Sequence, residues 1–117
     1  MTEKTARGAE GEKRALLHLQ KKGYELLERN YRAQRCEIDL VMQHGETTVF
    51  VEVKARSSTL FGLGREAVTG KKQQNLIKAA TVYAADHGLL EASLRFDVVE
   101  VALPSGKVTH IENAFPA

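Results

Sequence analysis

The chain has 117 residues, of which 43% are hydrophobic and 27% are charged, and its 17 Lys and Arg residues against 15 Asp and Glu leave a formal net charge of +2. This length allows one domain with a single core, residues 1–117, and the composition excludes a disordered chain. There is no apolar run that could cross a bilayer and no secretory signal pattern, so we expect a cytoplasmic protein without a membrane partner. The single cysteine, Cys36, excludes an internal disulfide.

Apolar spacing predicts the elements in the first half of the chain. Residues 5–22 have apolar positions at helical spacing and are followed by Gly23, which is typical of a helix C-terminus. Residues 24–31 predict a first strand. Residues 37–42 and 47–54 predict two more strands joined by a tight turn, so these two should be adjacent and antiparallel.

The second half begins with a loop rich in Ser, Thr and Gly at residues 57–64. A helical pattern follows and ends near residues 87–88, and residues 95–103 then alternate as a strand does. Residues 104–106 predict a turn, and residues 107–112 predict a short final strand. The core order αβββαβ plus a short C-terminal strand favours an α/β fold in which helices flank a mixed sheet.

The second and third strands contain acids among apolar residues. Period-two alternation places Glu52 and Lys54 on one face of the third strand, and a hairpin register would bring Asp39 beside Glu52. The same alternation places Ile38 and Leu40 together on the face opposite Asp39. Two carboxylates are ligands that Mg²⁺ prefers, and a neighbouring lysine can stabilise charge in phosphodiester hydrolysis. The alternative is an exposed ladder of cross-strand ion pairs.

A known family has matching residues in the same order along nearly the whole chain. The matching positions are residues 8–12, Asn30, residues 37–40, residues 49–54, Arg56, residues 61–62, Lys71 or Lys72, residues 95–97 and residues 113–115. With these residues the chain resembles the bacterial YraN-like proteins, an uncharacterised family that is itself similar to the PD-(D/E)XK nuclease superfamily. The resemblance implies a restriction-endonuclease-like fold.

The same resemblance implies roles for individual residues. Asp39 and Glu52 correspond to the metal-binding acids of the superfamily, and Lys54 corresponds to its catalytic lysine. In members similar to archaeal Holliday-junction resolvases, an acid on the first helix completes the metal site, and Glu12 has that place here. The expected catalytic residues are therefore Asp39, Glu52, Lys54 and Glu12, and the three acids would bind Mg²⁺ or Mn²⁺.

The implied function is a metal-dependent endonuclease that acts on structured or branched DNA in repair or recombination. The alternative is a non-catalytic module that keeps the nuclease-like fold and binds nucleic acid or recruits a partner. A homodimer is also compatible with a domain of this size, because symmetric branched DNA suits a two-fold partner. Sequence alone leaves DNA and RNA undistinguished.

Basic residues bracket the acids in sequence. The expected nucleic-acid contacts are Arg35, Arg56, Arg65, Lys71 and Lys72. They would bind phosphates without reading sequence, and the alternative is an ordinary solvated basic face. Cys36 stands where the family usually has glycine, which raises the question of a positive φ, a bulge or a close approach at this position. The alternative interpretation is that Cys36 is a small buried apolar residue with no chemical role.

Overall fold

The computed structural model describes residues 6–57 and 69–116. Its elements are α1 (Ala6–Lys21), β1 (Glu25–Ala33), β2 (Cys36–His44), β3 (Thr47–Ser57), α2 (Gly70–Asp86), β4 (Ser93–Leu103) and β5 (Val108–Phe115). The predicted element order is confirmed. Arg65 and most of the predicted loop, residues 58–64, lie outside the described residues. Within them, no helix has the length and apolar character that a bilayer span needs.

The five strands form one mixed sheet in the order β1-β2-β3-β4-β5. Successive strands pair antiparallel except β3 and β4, which are parallel. A parallel pair needs a crossover connection, and α2 lies within the segment that joins β3 to β4. The α/β fold with a mixed sheet is therefore as predicted.

The two helices cover opposite faces of the sheet. Alternate residues of β3 pack in two clusters: Val49 and Val51 with Leu19 of α1, and Phe50 with Leu76 of α2. This is the alternation that the sequence of β3 predicts. The strand order leaves β1 and β5 as the edges of the sheet.

Gly11 lets α1 approach β3 closely. A Cβ atom built on Gly11 would lie 2.6 Å from the Cβ of Ala55, a distance that real side chains do not tolerate. The cost of glycine inside a helix is therefore offset by close packing of α1 on the sheet. Because Glu12 is the next residue, this contact also sets the position of its backbone.

The strands β2 and β3 separate partway along their length. Their paired residues run from His44–Thr47 to Leu40–Val51. Past this point β2 continues against β1, and β3 continues against β4. The separation occurs at Asp39 and Glu52, and we call this place the fork.

The β1–β2 turn answers the question raised by Cys36. Gln34 and Arg35 form the turn with φ angles of 53° and 60°, so both lie in the left-handed region. Two such residues are typical of a type I′ hairpin. Cys36 begins β2 as a buried residue paired with Ala33, so the left-handed positions are those of its two predecessors.

Candidate functional site

The two acids predicted to lie together are both at the fork. The Leu40–Val51 pair places Asp39 and Glu52 at the next positions of the two strands, and their exposed fractions are 7% and 6%. The Oδ2 atom of Asp39 accepts a hydrogen bond of 2.8 Å from the backbone N–H of Val53. The carboxylate thus satisfies a backbone donor of β3 just beyond the last paired residues of the two strands.

Alternation along β2 is interrupted at Asp39. Ile38 packs in the cluster beneath α2, whereas Leu40 packs in the cluster beneath α1. The prediction that Ile38 and Leu40 share a face was therefore wrong. The physical reason is that β2 leaves β3 here, and the side chain of Asp39 reaches toward the backbone of β3.

Two lysines lie beside Glu52. Its Oε2 atom is 3.5 Å from Nζ of Lys54, two residues along the same strand, and 3.3 Å from Nζ of Lys72 in the first turn of α2. The sequence left Lys71 and Lys72 as alternatives, and the structure brings Lys72 to the acid while Lys71 is exposed.

Electrostatics keep Lys72 positively charged. Burial acts to lower the pKa of Lys72, but the negative charges of Glu52 and Asp39 outweigh it, with Glu52 contributing most, and the pKa is raised above its ordinary value. The fork therefore combines two nearly buried carboxylates with a stable cation.

Glu12 is held by residues of β1. Its side chain is nearly buried, and both of its carboxylate oxygens accept hydrogen bonds of 3.3 Å from Nδ2 of Asn30. Nη2 of Arg29 lies 3.5 Å from Oε1 of Glu12. α1 thus presents Glu12 to β1, on the side of β2 away from β3.

Asn30 links Glu12 to the fork. The ladder pairs on either side of Asn30 place it opposite Asp39. Its φ angle is 52°, which is uncommon for a residue other than glycine and is found mostly at turns and functional sites. Sequence reasoning identified Asn30 only through the family resemblance, because a positive φ inside a strand leaves no signal in the apolar pattern.

The described residues contain no group of three His, Cys, Asp or Glu side chains close enough to hold a metal ion. The expected set of Asp39, Glu52 and Glu12 is thus not gathered into one three-ligand centre. Mg²⁺ commonly takes only one or two protein carboxylates and fills its other positions with water and phosphate oxygens. On donor chemistry, Asp39 and Glu52 could hold Mg²⁺ or Mn²⁺.

A basic cavity borders the fork at the end of the β1–β2 hairpin. It has a volume of about 150 Å³ and is lined by Arg32, Arg35, Cys36 and Glu37. Arg32 forms an ion pair with Glu37 at 3.3 Å. Arg35 lies in this cavity and the partly buried Arg56 near the end of β3, so both predicted contacts are on or next to strands of the fork.

The thiol of Cys36 connects this cavity to the fork. Burial raises the pKa of Cys36 and outweighs the opposing effect of Lys72, while Glu52 and Asp39 raise it further. The thiol is therefore neutral at ordinary pH. Cys36 adds no charge between the arginines and the carboxylates.

A second polar cluster lies around Asp97, whose side chain is fully buried. Asp97 accepts hydrogen bonds from Nε of Arg95 at 2.8 Å, from Nε2 of His110 at 2.6 Å and from the backbone N–H of Asn113 at 3.0 Å. Burial acts to raise the pKa of Asp97, but these donors outweigh it and the pKa is lowered. The cluster fastens β5 to β4.

Comparison with known proteins identifies the family. The model of Uncharacterised protein family UPF0102 matches residues 11–101. A UPF0102 protein of Caldanaerobacter subterraneus subsp. tengcongensis is 46% identical over 113 residues, covering 92% of this chain and 93% of that protein. A UPF0102 protein of Frankia casuarinae is 43% identical over 118 residues, covering 98% of this chain and 100% of the relative. The chain belongs to the UPF0102 family.

Proposed function

We propose that this protein is a metal-dependent nuclease that hydrolyses phosphodiester bonds in structured or branched DNA. The observation that carries the proposal is the fork, where Asp39 and Glu52 lie nearly buried with Lys54 and Lys72 beside them. Buried carboxylates cost free energy unless they are paired or bind a metal, so their placement between two apolar strands calls for a role. Their chemistry suits a phosphate substrate and its cation.

Each group has a distinct part in the proposed reaction. Asp39 and Glu52 would hold Mg²⁺ or Mn²⁺, which when bound supplies positive charge to the phosphate oxygens. Lys54 would orient the attacking water or stabilise the charge that develops on the phosphate. Lys72 would keep the Glu52 carboxylate oriented, since its Nζ lies 3.3 Å from Oε2.

The basic groups around the fork favour nucleic acid as the substrate. Arg32 and Arg35 line the neighbouring cavity, and Arg56 lies further along β3. Arginine forms paired hydrogen bonds with phosphate oxygens, and such contacts position a backbone without reading bases. We therefore expect recognition of DNA shape, with an affinity that falls as salt concentration rises.

A non-catalytic role is the second candidate, and one observation favours it. Asp39 already accepts a hydrogen bond from Val53, and Glu52 is already paired with two lysines. A structural polar network would have the same partners. In that case the basic residues near the fork would bind nucleic acid, or the domain would recruit a protein partner, without cleavage.

The test is cleavage of linear, single-stranded, flapped and four-way DNA with Mg²⁺ or Mn²⁺, with binding recorded in the same samples. The variants are Asp39→Asn, which keeps an oxygen that can accept from Val53, and Lys54→Gln. Matched controls are Asp86→Asn and Lys78→Gln, because both residues are exposed on α2. We expect each fork variant to lose about 100-fold or more in cleavage rate and to keep its binding.

The two candidate functions predict different results. Metal-dependent cleavage that is lost in both fork variants and retained in both controls supports the nuclease. DNA binding without cleavage in the wild-type protein, unaltered by Asp39→Asn, supports the non-catalytic role. Cleavage that is equally fast in wild type and Asp39→Asn would overturn the proposed site.

A further inference from the structure

A second basic feature lies on α1, on a different flank from Glu12. Residues of α1, of the β4–β5 connection and of the start of β5 line a groove with a volume of about 210 Å³. We call this the α1 groove, and its lining residues are Arg14, Leu17, His18, Lys21, Gly106 and Val108. It is separate from the fork, because Glu12 reaches β1 whereas the groove borders the β4–β5 connection.

Three of the lining side chains are basic and follow the helical repeat. Arg14, His18 and Lys21 are spaced by four and three residues, so they lie along one face of α1. At 1.5 Å per residue their backbones span about 10 Å. The groove thus presents a row of nitrogen donors.

Negative charge does not balance this row within the described ranges. Arg14 pairs with Glu10 at 2.7 Å, but among residues 6–57 and 69–116 no carboxylate forms an ion pair with His18 or Lys21. A further cation is close, since the charge of Lys22 acts on His18, and Nζ of Lys22 lies 2.8 Å from Nδ1 of His110. The groove therefore has a surplus of positive charge.

The pKa of His18 is lowered by burial and by the same surplus of positive charge. Burial has the largest effect on this pKa, and the positive charges of Lys22, His110 and Lys21 lower it further. The charged groups facing His18 come from α1 and from β5, and the exposed Lys107 lies in the β4–β5 connection. An anion in the groove would reverse this effect and favour the protonated imidazole.

Gly106 keeps room for the arginine. A Cβ atom on Gly106 would overlap the guanidinium of Arg14, and the φ angle of Gly106 is 83°, which disfavours a side chain for a second reason. The β4–β5 turn thus packs its backbone against Arg14. The guanidinium lies at the side of the groove, and its Nε atom is paired with Glu10.

We propose that the α1 groove binds a phosphate group of a nucleic-acid backbone, as a second contact distinct from the fork. A guanidinium, an imidazole and an ammonium in one row are donors suited to phosphate oxygens. The identity of the anion rests on the proposed function, whereas the positive charge of the groove does not. Two contacts on opposite flanks of α1 suit DNA whose arms leave a branch point in different directions.

The test is NMR titration of the His18 ring across pH, in the full chain, alone and with a short DNA duplex at low salt. We expect the duplex to raise the pKa of His18 by about half a unit or more. The rise should be lost in Lys21→Gln and retained in Lys78→Gln, which removes an exposed lysine from α2. It should also be retained in Asp39→Asn, so failure of the fork and failure of the groove give different results.

Three outcomes would overturn the proposal. The first is a His18 pKa that does not change while the duplex is shown to bind. The second is an equal rise in wild type and Lys21→Gln. The third is a rise produced as strongly by inorganic phosphate as by the duplex at equal phosphate concentration, which would make the groove a site for simple anions.

Discussion

Nζ of Lys72 lies 3.3 Å from Oε2 of Glu52, so an ion pair joins the first turn of α2 to β3 at the fork. The helix start itself is fixed, because Oγ1 of Thr69 accepts a hydrogen bond of 3.2 Å from the backbone N–H of Lys72. Such a cap stabilises a helix N-terminus by about 1 kcal/mol. The cap and the ion pair together determine which lysine of α2 faces the acids.

Replacing Lys72 should therefore affect the fork, and replacing its neighbour should not. We expect Lys72→Met to slow DNA cleavage by about 10-fold to 100-fold, as loss of a group that orients a ligand commonly does. Lys71→Met is the matched control, because it removes the same charge at an exposed position. Saturating protein keeps any effect of either lysine on DNA binding out of the comparison. Equal losses in the two variants, measured by single-turnover cleavage, would show a general effect of charge and contradict the specific role.

The contact between Gly11 and Ala55 gives a prediction about stability. Alanine is a better helix former than glycine by about 1 kcal/mol, yet Gly11→Ala should lower the free energy of unfolding, because overpacking typically costs about 1–3 kcal/mol. Adding Ala55→Gly should relieve the overlap. The double variant should therefore lose less free energy of unfolding than the two single variants lose together. Urea unfolding measures this coupling.

Gly70 provides the control for this experiment. A Cβ atom on Gly70 would meet nothing within 4 Å, so Gly70→Ala should not destabilise the protein. If Gly11→Ala were as stable as wild type, α1 would be able to move away from β3 without cost, and the close approach would not fix the helix.

Much of the fold could be predicted from sequence because it depends on local patterns. Alternation predicted the faces of β3, and the turn residues predicted the β2–β3 hairpin, whose register then brought Asp39 and Glu52 to facing strands. These features follow from the pleat of a strand and the geometry of tight turns. The placement of the two acids at corresponding positions of neighbouring strands was therefore predictable from the hairpin alone.

Other parts of the site depend on contacts that no local pattern records. The choice of Lys72 over Lys71 depends on how α2 lies on the sheet, and the break in alternation at Asp39 depends on where β2 leaves β3. The hydrogen bonds from Asn30 to Glu12 join residues far apart in sequence, and the backbone of Asn30 is in the left-handed region. All three features depend on packing between parts of the chain that are distant in sequence.

The buried Asp97 predicts a dependence of stability on pH. Its pKa is lowered in the folded protein, so its contribution is fully present above the ordinary value of 3.8 and is lost as pH falls through the lower folded value. Asp97→Asn should lower the free energy of unfolding at pH 7 by about 3 kcal/mol, because Arg95 and His110 lose their charged partner. It should also flatten the loss of stability in acid.

Urea unfolding between neutral and acidic pH checks this prediction. Asp86→Asn is the matched control, because Asp86 is exposed at the end of α2, and it should keep the wild-type slope. If the free energy of unfolding of Asp97→Asn fell in acid as steeply as that of the wild type, other carboxylates would account for the pH dependence.

Substitutions of Asn30 can distinguish the effect of its left-handed backbone from the effect of its side chain. Both Asn30→Gly and Asn30→Ala remove the amide that donates to Glu12, but only glycine accepts a φ of 52° without cost. Asn30→Ala should thus be less stable than Asn30→Gly by about 1 kcal/mol. If the amide of Asn30 orients Glu12 for catalysis, both variants should slow DNA cleavage by a similar factor despite their different stabilities.

Asn113→Gly is the control for the backbone effect. Asn113 has a φ of 51° and its backbone N–H, which glycine keeps, donates to Asp97 in the second polar cluster. This variant should therefore relieve strain without changing the cleavage rate. Wild-type cleavage by Asn30→Gly would contradict a role for the amide, whereas slower cleavage by Asn30→Gly alongside an unchanged Asn113→Gly would assign the effect to the orientation of Glu12.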